Sequence, residues 1–452
     1  MPKVIQIHRK NAVDSAVDKC VHFGFCTAVC PTYVLDNEEN DSPRGRIALA
    51  KEMLAGGKPK SKAIEHLDRC LSCLSCETTC AANVPYREII DGAREYIELS
   101  GVRPWRDRVF RAFLAKTLTT PRLLRVASQL GKLMPRSLAM KSGPLGALAS
   151  LSHAPAVSAL RARHEEPAMP PTRLSGRRVA LLNGCVQSVI GMEINAAARR
   201  LLERSGVAVV DIDESLCCGA LELHMGKRKT GAERSARFVQ TLARMLETKD
   251  VEAFVTTTSG CNSVVQQFDE VLSDRLDLAE QVTTVTSATH DITQYVLELD
   301  LECSGAAEGV CVSYHDACSM THGLKLTSPP RQLFKRLNVD QRNIAEAHMC
   351  CGSAGVYNIL QPEISERLGK RKAEHASAGN PDVIAAANLG CLVQISRFTS
   401  IPVAHTVQIL DWVTGGPAPR GLENFEPRPM AAPVSNAQHV EAEATTTEDA
   451  FW

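Results

Sequence analysis

Cysteine sets the chemistry of this chain. The stretch CVHFGFCTAVCP, residues 20–31, places sulfur at Cys20, Cys26 and Cys30, and CLSCLSCETTCA, residues 70–81, places it at Cys70, Cys73, Cys76 and Cys80. A tight loop with cysteines at i, i+3 and i+6 aims three soft donors at one compact point, which suits iron in a thiolate-held iron–sulfur cube. In paired motifs of this kind the trailing cysteine of each serves the other's cluster. One set is therefore Cys70, Cys73, Cys76 and Cys30, and the other is Cys20, Cys26 and Cys80.

The second set is one donor short, because Phe23 stands where the later copy has Cys73. Four thiolates predict a 4Fe–4S cluster at Cys70, Cys73, Cys76 and Cys30. Three predict a 3Fe–4S cluster or a labile 4Fe–4S cluster, and an empty site packed by Phe23 beside Phe25 is the competing reading. Structural zinc prefers paired C-x2-C knuckles, which these runs do not resemble. In SPRGRIALAKEML, residues 42–54, Ser-Pro marks a helix start and Arg44 and Arg46 are candidates to offset the cluster's negative charge. His66 reads as a helix-face residue.

Two further quartets follow. Cys185, Cys217, Cys218 and Cys261 lie in LNGCV, LCCGALELH and TSGCN; Cys318, Cys350, Cys351 and Cys391 lie in YHDACSMTHG, MCCGSAGVY and NLGCL. Cys185 and Cys318 are 133 residues apart, as are Cys217 and Cys350, and Cys218 and Cys351, while Cys261 and Cys391 differ by 130. Recurrence in one order at one offset is the mark of a tandem duplication. Adjacent cysteines crowd a simple tetrahedral ion and better suit a larger cluster or a redox pair. The glycine after each pair lets backbone approach a bulky group. Cys303 and Cys311 have no counterparts and read as ordinary buried thiols. His224, His315, His322 and His348 lie near these motifs, as cofactor or quinone contacts or as packing.

The elements that must position these residues are legible around them. RRVALLNGC, VAVVDID and VEAFVTTTSGC read as strands, and MEINAAARRLLERSG and ERSARFVQTLARMLE as amphipathic helices. Alternation of the two predicts an α/β layer with a largely parallel sheet, whose strand ends converge at one edge where such proteins build sites. WRDRVFRAFLAKTL and PRLLRVASQLGKLM have helical spacing, and SHAPAVSALRARHEEPAMPPTRLSGRR reads as a linker.

The predicted organisation is an α+β multidomain chain: an α-helical two-cluster domain over 1–98, a helical connector and linker over 99–175, duplicated α/β domains over 176–300 and 301–414, and a disordered tail over 415–452. Length supports several domains, with 452 residues of which 44% are hydrophobic. Lysine plus arginine equals aspartate plus glutamate, 51 against 51, which argues against a nucleic-acid binder. The N-terminus lacks the apolar core of an export signal and no apolar run is long enough to span a bilayer, so the expected location is cytoplasmic, with peripheral attachment to the inner face of the membrane through a partner as a variant. Seventeen cysteines in a reducing compartment point to metal ligation rather than a disulfide framework.

These motifs carry a resemblance. The cysteine runs resemble the two motifs of bacterial ferredoxins, and the later domains resemble cysteine-rich CCG domains. PRGRI, HLDRCLSC, CETTC and above all CCGSAGVYNILQPEIS are similar to stretches of the glycolate oxidase (glycolate dehydrogenase) iron–sulfur subunit family, over residues 20–412. That resemblance implies an oxidoreductase subunit that takes electrons from flavin-containing partner subunits oxidising glycolate to glyoxylate, and passes them toward a quinone or another acceptor. It implies iron–sulfur cofactors in the first domain and further clusters in the CCG domains. Where the family has a cysteine, this chain has Phe23, and where it has proline after the fourth cysteine, Ala81. The CCG domains also resemble those of the heterodisulfide reductase B subunit, whose pattern ends in C-x2-C; here Val264 and Gln394 occupy the last position.

No Gly-rich dinucleotide fingerprint and no P-loop occur, which places the substrate-oxidising flavin site on another chain. Alternatives are the iron–sulfur subunit of a lactate or glycerol-3-phosphate dehydrogenase complex, a thiol–disulfide reductase using the CCG cysteines, and a metal-stabilised scaffold without redox function.

Overall fold

A computed structural model of the chain describes residues 13–55, 58–132, 176–212, 216–248 and 251–427. The first region is helical. Pro43–Leu54 starts where Ser42 accepts a hydrogen bond from the Gly45 amide at 3.0 Å, with proline at the first helical position. Tyr86–Ser100 buries Ile89, Ile90, Ala93 and Ile97, a one-sided stripe that packs on the first helix over a shared apolar core with Val13, Val17, Leu67 and Val84.

The two cysteine loops share a backbone. His22 and Gly24 in the first, and Ser72 and Leu74 in the second, all have positive φ (58°, 89°, 51° and 63°). Left-handed residues on either side of the central position wrap each loop around its own centre. Phe23 thus occupies the same turn as Cys73, with only the donor atom missing.

Helices Trp105–Leu118 and Pro121–Lys132 follow, in the stretch expected to be a connector. The linker read over 152–178 lies mostly outside the described residues.

Then come two parallel four-stranded sheets. The first contains β1 (Arg178–Leu182), β2 (Ala208–Asp211), β3 (Ala253–Thr256) and β4 (Thr289–Asp291), in the order β2-β1-β3-β4. The second contains β5 (Cys311–His315), β6 (Asp340–Asn343), β7 (Val383–Ala386) and β8 (Val403–His405), in the order β6-β5-β7-β8. Every pairing is parallel. Central strands β3 and β7 are buried along their whole length, as parallel strands covered by helices on both faces must be, whereas β2 and β6 are partly exposed edges. The duplicated α/β architecture read from the cysteine offset is therefore present, with identical strand order in both copies.

One apolar core runs through both repeats, from Val179 and Leu201 of the first to Ile384 and Trp412 of the second. The start of the expected disordered tail is instead packed: Leu422 is buried and the Phe425 ring meets Trp412 edge-on at 5.3 Å. Residues 428–452 lie outside the described residues. Among the described residues no helix is long and apolar enough to cross a membrane.

Candidate functional site

Cys30, Cys70, Cys73 and Cys76 converge on one small cavity, together with Arg46 and Tyr86. The Tyr86 hydroxyl reaches Cys70 Sγ at 3.6 Å and Arg46 Nη1 reaches Cys30 Sγ at 3.8 Å. Arg46 is 1% exposed, and its other donors go to the His66 carbonyl at 2.7 Å, Thr32 Oγ1 at 2.9 Å and Asp41 at 3.3 Å. Burial opposes its charge, yet Cys70, Tyr86, Cys30 and Asp41 raise its pKa. Arg44, the other arginine of this helix, faces outward to Glu39 at 2.6 Å. His66 is not aimed at sulfur; its Nδ1 lies 3.0 Å from Asp41.

Burial, and then the neighbouring sulfurs, push the Cys73 and Cys76 thiols well above the ordinary cysteine range. Crowded thiols in a dry site resist ionising unless a cation sits among them. Four soft donors, a buried guanidinium and a hydroxyl facing one cavity fit a thiolate-held iron–sulfur cluster.

Cys20, Cys26 and Cys80 border the apolar core of the same domain and are only partly buried. Phe23 does not fill the missing corner. It is 64% exposed, Phe25 is 61% exposed, and the two rings lie 6.2 Å apart on the surface. Cys20, Cys26 and Cys80 are thus less enclosed than Cys30, Cys70, Cys73 and Cys76.

In the first repeat, Cys185, Cys217, Cys218 and Cys261 line one cavity. Thiols of Cys185 and Cys218 donating to Cys217, aided by the Gly219 amide and Arg234, hold Cys217 well below the ordinary range. In the second repeat the Cys318 and Cys350 sulfurs lie 3.9 Å apart, and those of Cys351 and Cys391 lie within 4.8 Å of one another. The glycine after each pair is required: Gly219 and Gly352 have φ of 83° and 86°, and a Cβ would meet Gly231 O at 2.4 Å or Ser365 O at 2.7 Å. Val264 and Gln394, at the position of a fifth cysteine, are buried, and Gln394 donates to Ser365 O at 2.9 Å. Cys311 is buried but Cys303 is exposed, which corrects the reading of Cys303 as a buried thiol; it lies on a loop ahead of β5.

The quartets and the first domain share one cavity of about 320 Å³, lined by Cys70, Cys73, both CCG pairs, Cys318 and Cys391. Leu71 and Cys73 pack against Met349, Cys350 and Tyr357. The Tyr357 hydroxyl donates to Arg69 O at 2.8 Å, Thr78 Oγ1 meets His322 Nδ1 at 2.7 Å, and Arg94 ties Cys70 O at 2.5 Å to His224 O at 3.4 Å. His224 and His322 thus serve the junction between domains, while His315 sits within the second quartet. Burial lowers the pKa of His348, which lies beside that quartet's CCG. Sequence reasoning missed the roles of Tyr86, Arg94 and Tyr357; Tyr357 lies within the quoted MCCGSAGVY stretch, but its contact with Arg69 of the first domain cannot be read from spacing.

This arrangement is that of an iron–sulfur electron-transfer protein. A family model described as a 4Fe-4S dicluster domain matches residues 16–84, and one described as a cysteine-rich domain matches residues 179–266 and 312–396. The glycolate oxidase iron-sulfur subunit of Escherichia coli (strain K12) is 33% identical over 407 residues, covering 89% of this chain and 96% of that one. The probable glycolate oxidase iron-sulfur subunit of Bacillus subtilis (strain 168) is 30% identical over 412 residues, covering 87% and 91%. Lactate utilization protein A of Shouchella clausii is 24% identical over 240 residues, 52% of this chain and 98% of that one. The chain belongs to the glycolate oxidase iron–sulfur subunit family, and carries iron–sulfur clusters as its cofactors.

Proposed function

We propose that this chain relays electrons within a complex that oxidises glycolate to glyoxylate, the oxidation itself taking place at a flavin on partner subunits. In this reading Cys30, Cys70, Cys73 and Cys76 hold a 4Fe–4S cluster, and Cys20, Cys26 and Cys80 hold a 3Fe–4S or labile 4Fe–4S cluster. Each CCG quartet, Cys185, Cys217, Cys218 and Cys261 or Cys318, Cys350, Cys351 and Cys391, holds a further cluster. Clusters bound there supply one-electron redox chemistry. The chain's own residues fix the distances between them, exclude water and set their charge environment.

The observation that carries the proposal is the abutment of Cys73 on Cys350 within one packed cluster, which leaves no intervening domain between the first site and the second quartet. Arg46, held charged beside Cys30 and Cys70, favours the more negative, reduced state of whatever those sulfurs bind. The shared cavity offers the exit toward a quinone or another acceptor. The complex is proposed to work in the cytoplasm or against the inner face of the membrane. Glycolate is favoured over lactate because the glycolate oxidase relative aligns over 89% of the chain and the lactate utilization relative over 52%.

The test is anaerobic co-purification with the flavin subunits, followed by glycolate addition. Rapid appearance of iron–sulfur signals in EPR, lost in Cys73→Ser while the flavin still bleaches, is the expected result. Reduction of the iron that is indifferent to Cys73→Ser overturns the relay.

A further inference from the structure

The second repeat contains a donor the first lacks. His315 is the last residue of β5, 1% exposed, and one of its ring nitrogens lies with the sulfurs of Cys351 and Cys391 in a group whose ligand atoms are all within 4.8 Å of one another. Neither of its ring nitrogens has a hydrogen-bond partner among the described residues. A buried imidazole with both nitrogens unsatisfied is costly, and in native structures such a group points to a missing partner such as a water or an ion.

The duplication supplies an internal control. β1 and β5 are equivalent, and the residue matching His315 is Leu182, which pairs with Thr256 as His315 pairs with Ala386. The fold is thus content with an aliphatic side chain at this strand end. The helix above supplies a second difference: Pro362–Ser377 buries Lys372, whose Nζ donates to Glu346 O at 2.6 Å, whereas Arg228–Glu247 buries only apolar and small residues.

We propose that His315 is a nitrogen ligand to an iron–sulfur cluster held by Cys318, Cys350, Cys351 and Cys391, so that the second CCG site is four-sulfur, one-nitrogen while the first is all-sulfur. Imidazole is a neutral donor that suits iron, so His315 would add a ligand to the four sulfurs without adding negative charge to the cluster. The inference rests on the reading that the CCG quartets hold clusters.

The experiment uses the full chain, isolated anaerobically with its clusters, and reads pulsed EPR nitrogen couplings and iron retention against a chelator. Wild type is expected to show an imidazole nitrogen coupling that shifts on labelling histidine with nitrogen-15. His315→Leu, which installs the first repeat's residue, is expected to lose the coupling and to release iron ~10-fold faster. His315→Cys is expected to recover retention without it. Absence of any imidazole coupling in wild type, or its persistence in His315→Leu, overturns the ligand assignment. The double variant Cys350→Ser, Cys351→Ser tests the underlying reading separately: iron content equal to wild type shows that the quartet holds no cluster.

Discussion

Phe23 is the one side chain in the ferredoxin-type loops whose identity decides a cofactor. Its turn has the backbone of the Cys73 turn and its ring lies in solvent, so replacing it disturbs no core. Phe23→Cys is expected to convert a three-thiolate site to a four-thiolate one, adding about one iron per chain and removing the oxidised-state EPR signal of a 3Fe–4S cluster. Unchanged iron and an unchanged spectrum would refute that assignment. Arg46→Met leaves Asp41 paired by Arg69 at 2.9 Å but takes the positive charge from beside Cys30 and Cys70. A lower potential for that cluster and about 10-fold weaker retention of iron are expected, read by redox titration and metal analysis. The grouping of Cys30 with Cys70, Cys73 and Cys76 and the missing donor at Phe23 were legible in the sequence, from the spacing within each motif and the exchange of trailing cysteines between paired motifs. The exposure of Phe23 was not, since the Cys73 turn of the same backbone is buried by packing against Met349, Cys350 and Tyr357, long-range cover that a local motif does not encode.

The strands and helices matter through where they end. Each CCG turn closes onto the following helix so tightly that Gly352 admits no Cβ. Gly352→Ala is expected to destabilise the second repeat by at least about 1–2 kcal/mol from the positive φ alone, with contact against Ser365 O adding to it. Thermal melts compared with Gly355→Ala, where the nearest atom to a Cβ is a leucine methyl at 3.4 Å, check the steric part. The strand-end caps add a pH dependence. His405 follows β8, accepts from the Val407 amide at 3.1 Å and bonds Thr257 O of the first repeat at 2.8 Å, and burial holds its pKa down at about 4. The folded state therefore binds fewer protons than the unfolded chain, and stability falls as pH drops from the ordinary histidine value of about 6.5 toward 4, by about 3 kcal/mol in all. His405→Asn offers its side-chain oxygen as the cap acceptor in place of Nδ1 and is expected to flatten that slope in denaturant melts; an unaltered slope contradicts it. The strands β1, β2 and β3 and their duplication could be read from alternating apolar runs and the cysteine offset. β4 and β8, of three residues each, are too short to carry a pattern.

Across the chain as a whole, the first domain docks onto both repeats so that three groups of sulfur face one cavity, and the proposed relay depends on that docking. That docking was not legible. It is made by scattered long-range contacts, Tyr357 to Arg69 O, Arg94 to Cys70 O and His224 O, and Lys227 to Glu98 at 2.9 Å, none of which has a period or a motif. Tyr357→Phe removes one such bond without emptying the packed cluster around Cys73. It is expected to slow electron passage between the first domain and the second repeat while leaving the iron content unchanged. The most direct test of the relay is rapid-freeze EPR of the anaerobic complex after mixing with glycolate. Signals from the Cys30, Cys70, Cys73 and Cys76 site and from the CCG sites should rise in sequence within the turnover time, the CCG signals vanishing in Cys73→Ser. If the CCG sites reduce at the wild-type rate without Cys73, or the iron stays oxidised throughout turnover, the sulfur-lined path carries no electrons.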